Sequence, residues 1–155
     1  MKKKTLHVLT LIAISSFFLA NAQSKINEKS KALEGVWTCK AERSSNLLEM
    51  GFRPAMPGTL KIISADGKFT NIRVMQSKTV ITIDGLFKVE SDSIFVESIK
   101  RSLNSVLIGK ENRLLFRMEG NNKLYIKWFL EKNQLNQKMN IWIEELWEKA
   151  EMPSI

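Results

Sequence analysis

The chain has 155 residues, with 24 Lys and Arg against 16 Asp and Glu, one Cys and one His. That length suits one domain, and a lone cysteine excludes an internal disulfide and a thiolate metal cluster. The only histidine, His7, lies in the N-terminal apolar stretch, so beyond it Ser-His-Asp and Cys-His catalysis and His-based zinc sites are excluded as well.

Residues 1–22 read as a secretory signal peptide. Lys2, Lys3 and Lys4 form a positive n-region, Leu6–Ala20 is an apolar run too short to span a bilayer comfortably, and Ala20-Asn21-Ala22 is a small-x-small cleavage site. The expectation is export to the periplasm or the extracellular space, with membrane contact only through the transient signal. Cleavage removes three lysines and no acids, leaving a net charge of about +5. That excess is spread along the chain without a block of like charge, which reads as a solvated surface. Export and the lack of basic-aromatic clustering argue against a nucleic-acid partner.

Residues 23–32 are polar and Lys-rich, a flexible leader, and 33–150 form the folded domain, with 151–155 as a tail. Leu33–Ala41 is the first predicted strand, with Trp37 as a large interior anchor and Cys39 on the same face. Cys39 reads as a buried structural thiol. Glu42–Pro57 is the one long interruption; Gly51, Pro54 and Pro57 prevent a regular strand. It is nonetheless apolar, with Leu47, Leu48, Met50, Phe52 and Met56, so it is expected to plug one end of the fold or to form a lid, the plug being favoured.

Gly58–Met75 organises the remainder of the chain: two strands joined at Asp66-Gly67, a strong hairpin signal. Thr79–Ile83 is a strand, Asp84-Gly85 a second Asp-Gly turn, Leu86–Glu90 a strand and Ser91-Asp92-Ser93 a turn. Ile94–Arg101, Ser105–Lys110 and Arg113–Met118 are further strands, with breaks at Ser102–Asn104 and Glu111-Asn112. Glu119–Asn122 is a turn before the strand Lys123–Leu130. The last segment, 139–150, fits both a helical stripe and a strand; the strand is chosen because the first strand needs an edge partner. About ten short strands on short turns predict an all-β, up-and-down antiparallel barrel of 8–10 strands.

Gly35-Val36-Trp37 on the first strand resembles the Gly-x-Trp opening of the lipocalins. With Ser64-Ala65-Asp66-Gly67-Lys68-Phe69 and the closing Glu144-Glu145-Leu146-Trp147-Glu148-Lys149, the chain is similar to small lipocalin-like (calycin) exported families of unassigned function, Bacteroides-type. The resemblance implies structural roles for Gly35, Trp37 and Lys149, with the Lys149 side chain packed on the first-strand Trp. It also implies a barrel that encloses a pocket for a small hydrophobic or amphipathic molecule, its mouth near the long first loop. Barrels of this size reach the point where side chains no longer fill the interior, which leads separately to the same pocket.

Charged residues within strands nominate the ligand contacts. Phe69, Asn71, Arg73 and Met75 share one face, as do Leu115 and Arg117, and Tyr125, Lys127 and Phe129. An inward Arg73 or Arg117 would clamp a carboxylate; the opposite faces, Ile72 with Val74 and Leu114 with Phe116 and Met118, are equally good inward faces. Trp128, Met56, Phe52 and Tyr125 complete the candidate ligand-binding set, with core filling as the alternative for the apolar ones. No catalytic, metal or cofactor site is expected. Glu144 and Glu145 are adjacent and, in a strand, face opposite sides, so they form no dyad. Carboxylate catalysis would require a cluster of buried acids in the cavity. The rival to a ligand carrier is a protein-interaction module with a filled core.

Overall fold

The computed structural model describes residues 28–151. The proposed signal peptide, residues 23–27 of the leader and the last four residues lie outside them. Nine strands follow in order: β1 (Gly35–Ser44), β2 (Arg53–Pro54), β3 (Thr59–Ile63), β4 (Lys68–Val74), β5 (Thr79–Ser91), β6 (Ile94–Ser102), β7 (Glu111–Glu119), β8 (Lys123–Lys132) and β9 (Lys138–Lys149). All pairings are antiparallel. The ladder runs β1-β3-β4-β5-β6-β7-β8-β9 and β9 returns to β1, closing an eight-stranded barrel; the two-residue β2 adds to the outer part of β1. The up-and-down barrel expected from the turns is therefore the fold, and 139–150 is a strand because its backbone completes β1.

Period-two alternation fills the interior. Trp37, Ile63, Phe69, Phe87, Phe95, Leu114, Phe116, Leu124, Ile126 and Trp147 form one buried cluster. Its dense part is the end where β1 begins. Residues 28–33 are helical there, against the expectation of a flexible leader, and Leu33 is fully buried instead of starting the first strand. The Trp37 indole donates to the Leu33 carbonyl at 2.8 Å. The Lys149 ammonium lies 5.1 Å from the Trp37 ring centroid and donates to the Ala32 carbonyl at 3.2 Å. These bonds tie leader, first strand and last strand into a closed floor.

Further segments differ from the sequence reading, among them Glu111-Asn112, expected as a break, which opens β7. Asp84-Gly85 is not a turn: β5 runs straight through it. Gly67, in the true turn, has φ +76°, whereas Gly85 is needed because a Cβ there would lie 2.1 Å from the Ser98 carbonyl oxygen of β6. The dipeptide thus marks a close strand approach beside a bulge. Ser105–Lys110 is not a strand. A short 3-10 turn spans Ser105–Leu107, capped by Asn104, whose side-chain oxygen accepts from the Val106 amide at 3.3 Å. Asn104 also donates to the Lys132 carbonyl at 3.2 Å, holding this loop over the other end of the barrel.

The loop 45–57 does not plug the barrel. Leu48, Met50 and Met56 are each more than half exposed, and the chain folds back beside β1 through Ala55, whose amide donates to the Lys40 carbonyl. The plug expectation failed because β2 gives this segment a backbone partner outside the barrel.

Gly35 sits on the floor with φ +130°, and a Cβ would approach Lys149 Cε to 2.7 Å. Gly35→Ala is expected to lower unfolding free energy by about 1–3 kcal/mol through backbone strain and displacement of Lys149. Lys149→Ala should recover the displacement part in a double-mutant cycle followed by urea unfolding. A loss below the resolution of the measurement, or strict additivity with Lys149→Ala, contradicts the packing described.

Candidate functional site

The interior above the floor is charged. Trp37 of β1 lies opposite Lys61 of β3, and Lys61 lies opposite Asn71 of β4, so the inward face that begins at Trp37 carries both across the sheet. Lys61 is 2% exposed and Glu97 of β6 is 3% exposed, and their side chains form an ion pair across the lumen. The Lys61 ammonium also faces the rings of Phe69, Phe95 and Trp147 at 5.2 to 5.9 Å from the centroids.

Glu145 of β9 is the third charged group. Its two carboxyl oxygens accept from the indole N–H groups of Trp128 at 3.1 Å and Trp147 at 3.0 Å. Burial pushes its pKa above the ordinary value, against the opposing pull of Lys61 and the two indoles, and Glu97 adds to the rise. By surface area Glu145 is half-buried, and it lines the hollow at the centre of the barrel.

The hollow is a cavity of about 250 Å3. Lys61, Glu97, Glu145 and Asn71 form its inner end, Trp128, Leu114 and Ile83 its walls, and Thr82, Ser102, Leu103, Asn104, Leu107 and Gln134 its mouth. At roughly 30 Å3 per water the space equals about eight water molecules. The side-chain oxygen of Asn71 is buried with no hydrogen-bond partner among the described residues. Two larger hollows, of about 430 and 350 Å3, lie elsewhere, one over Lys68–Thr70, Asp84–Leu86, Lys100 and Arg101 and the other beside Leu107, Asn112, Arg113, Phe129 and Trp142; neither holds the Lys61–Glu97 pair.

Comparison with known proteins adds one finding. The model of a family described as a domain of unknown function, DUF4488, matches residues 32–155. The chain belongs to the DUF4488 family. No curated protein matches it. The closed eight-stranded barrel of this DUF4488 protein is calycin-like in architecture, and the matched residues include the whole barrel.

Of the residues nominated from sequence for ligand contact, the DUF4488 barrel brings Trp128 alone to the cavity. Arg117 is exposed on the outer wall, its guanidinium 5.4 Å from the Tyr125 ring centroid, because Leu114 and Phe116 take the inward positions of β7. Tyr125 likewise faces outward, since Leu124 and Ile126 point in. Burial and a hydrogen bond to Glu144 push its hydroxyl pKa up to about 12. Phe52 lies outside under the Arg43 guanidinium at 4.6 Å. Arg73 meets Met56 at the open rim, guanidinium against thioether sulfur, and neither lines the cavity. Neither arginine lines the cavity; the cation that does is Lys61, already paired with Glu97.

The adjacent glutamates do split between faces. Glu144 is outside, bonded to Arg43 at 2.5 Å with Lys127 at 3.6 Å. Burial raises its pKa, but Arg43, the Tyr125 hydroxyl and Lys127 outweigh that and hold it below the ordinary range. Cys39 is buried and free, as expected. Burial, with Glu145 and Glu42 nearby, pushes its pKa up to about 12, which makes it an inert thiol. Among the described residues no group of three His, Cys, Asp or Glu is placed to hold a metal ion.

Sequence reasoning missed Lys61, Glu97 and Glu145. A signal was present: Glu97 lies between Phe95 and Ile99 at two-residue spacing, and Glu145 between Ile143 and Trp147. A charge so flanked points where its neighbours point. The arrangement supplies buried acceptors, one carboxyl with a raised pKa and apolar walls in one cavity. It also places two buried acids in one cavity, the clustering that carboxylate chemistry requires.

Because Glu145 holds its proton above the ordinary carboxyl pKa of 4.5, the folded state binds a proton that the unfolded chain has already released. Stability should then fall as pH rises from about 4.5 through the folded-state value. Glu145→Gln should flatten that part of the profile, measured by urea unfolding across pH. An unchanged slope contradicts the burial of Glu145.

Proposed function

We propose that this DUF4488 protein binds a small amphipathic molecule in the mouth-side cavity of its barrel. One observation carries the reading: a hollow with apolar walls that ends in buried, charged groups and an unpartnered amide oxygen. A core built only for stability has little use for it, since replacing a buried ion pair with well-packed apolar side chains is often neutral or stabilising. The polar inner end orients a ligand, while Trp128, Leu114, Ile83 and Leu107 shield its apolar part. At about 250 Å3 the cavity is below the usual range for drug-sized ligands, which favours a small molecule over a long acyl chain.

The N-terminal Lys2–Lys4, the apolar run to Ala20 and the Ala20-Asn21-Ala22 site support export of the protein, so the ligand would be met outside the cytoplasm. A lipocalin-like carrier role fits the combined reading. A second reading, docking of another protein, draws on the exposed apolar residues at the open rim: Leu48, Met50, Met56, Leu103 and Leu135.

Native mass spectrometry of the protein isolated from its own cells tests the carrier reading. A single small adduct is expected, absent after denaturation and absent in Leu107→Trp, which fills the mouth. Apoprotein alone from the native source, or an adduct that persists unchanged in Leu107→Trp, contradicts binding in the cavity. Co-isolation of a protein partner lost on substitution of Leu48 and Met50, without a small adduct, supports the second reading instead.

A further inference from the structure

The chemistry of the ligand is set by the charges inside the barrel. Lys61, Glu97 and Glu145 are the charged groups that line the cavity, and Lys61 is committed to Glu97. When both carboxyls are ionised the interior carries one unbalanced negative charge, on Glu145. The remaining polar lining is neutral: Asn71, Thr82, Ser102, Asn104, Asn112 and Gln134.

Hydrogen bonding points the same way. Glu145 accepts one indole N–H on each oxygen, and each oxygen retains a further lone pair. The Asn71 side-chain oxygen, which lines the same hollow, is a fully buried acceptor without a donor among the described residues. The inner end therefore has no unpaired positive charge, and it has acceptors to spare. An anionic ligand would add repulsion to desolvation there. An ammonium would supply up to three donors, balance Glu145 and leave the Lys61–Glu97 pair undisturbed. The Trp128 ring on the wall offers a face that tolerates a cation and packs an apolar tail.

We propose that the cavity selects a small primary amine with an apolar tail, its ammonium seated between Glu145 and Asn71. This rests on the small-ligand function proposed for the cavity and names the ligand class. The space, about eight waters in volume, suits a free amine of this size, not a lysine side chain presented on a folded partner.

Three matched probes test it: phenethylamine, phenethyl alcohol and phenylacetate, titrated near neutral pH by calorimetry and by Trp128-dependent fluorescence. The amine should bind roughly tenfold or more tighter than the alcohol, because a charge-assisted hydrogen bond replaces a neutral one, and the carboxylate should bind weakest. Glu145→Gln should remove most of the amine's advantage while changing the alcohol's affinity by about twofold or less. Equal or tighter binding of the alcohol or the carboxylate overturns the amine assignment and leaves the small-ligand reading standing. Saturable binding of none of the three overturns both. The wild-type comparison decides the assignment even if Glu145→Gln fails to fold, and unchanged amine selectivity in a folded Glu145→Gln protein overturns the role of Glu145.

Discussion

The pairing of Lys61 with Glu97 inside the barrel is the constraint around which the rest is arranged. Taking an ammonium and a carboxylate out of water costs several kcal/mol per ion, so each demands the other at close range. The two residues sit on β3 and β6, which are not neighbours in the sheet, so the contact spans the lumen. It fixes the distance between opposite walls and keeps that level of the barrel from being closed by aliphatic packing. Phe69, Phe95 and Trp147 surround the ammonium with ring faces, which tolerate positive charge better than aliphatic walls do. Glu145 then has no free cation of its own among the described residues and relies on two indoles.

That pair divides the barrel into two ends with different physics. Below it the core is dense and sealed: Trp37 bonds to Leu33, Lys149 covers Trp37, and the helical turn at 28–33 closes the bottom. Above it the strands open onto loops built by local hydrogen bonds, above all Asn104, which caps one loop and ties it to the end of β8. The outer wall carries its own charge network of Arg43, Glu144, Lys127 and Tyr125, which braces β1, β8 and β9 where the ribbon closes. Rigid floor, charged middle and loop-lined mouth together give a container that opens at one end.

Much of the architecture was legible in the sequence. Turns at Asp66-Gly67, Ser91-Asp92-Ser93 and Glu119–Asn122 and the period-two pattern were enough for a closed meander. The final strand rests on the need of β1 for a partner, and that partner is what it provides. Asp84-Gly85 misled because one dipeptide serves two purposes: a positive-φ turn at residue 67 and a close strand approach at residue 85. The site was less legible. Leu60 and Ile62 make β3 look as though Lys61 faces out, and only its pairing opposite the inward Trp37 reverses that. Register between strands is tertiary information, and the local pattern of one strand does not contain it. Arg117 was misassigned for the same reason, since two equally apolar faces were available on β7 and the partner strands chose between them; Arg73 shares the face of Asn71 and instead ends against Met56.

A polar hollow, not a filled apolar core, occupies the mouth side of this barrel. A high-resolution crystal structure of the purified protein near neutral pH tests it most directly. Lys61 should be bonded to Glu97 across the lumen, with ordered density, water or ligand, within hydrogen-bond reach of the Asn71 side-chain oxygen. Trp128 and Leu107 packed directly onto Asn71, with no space between them, would contradict it.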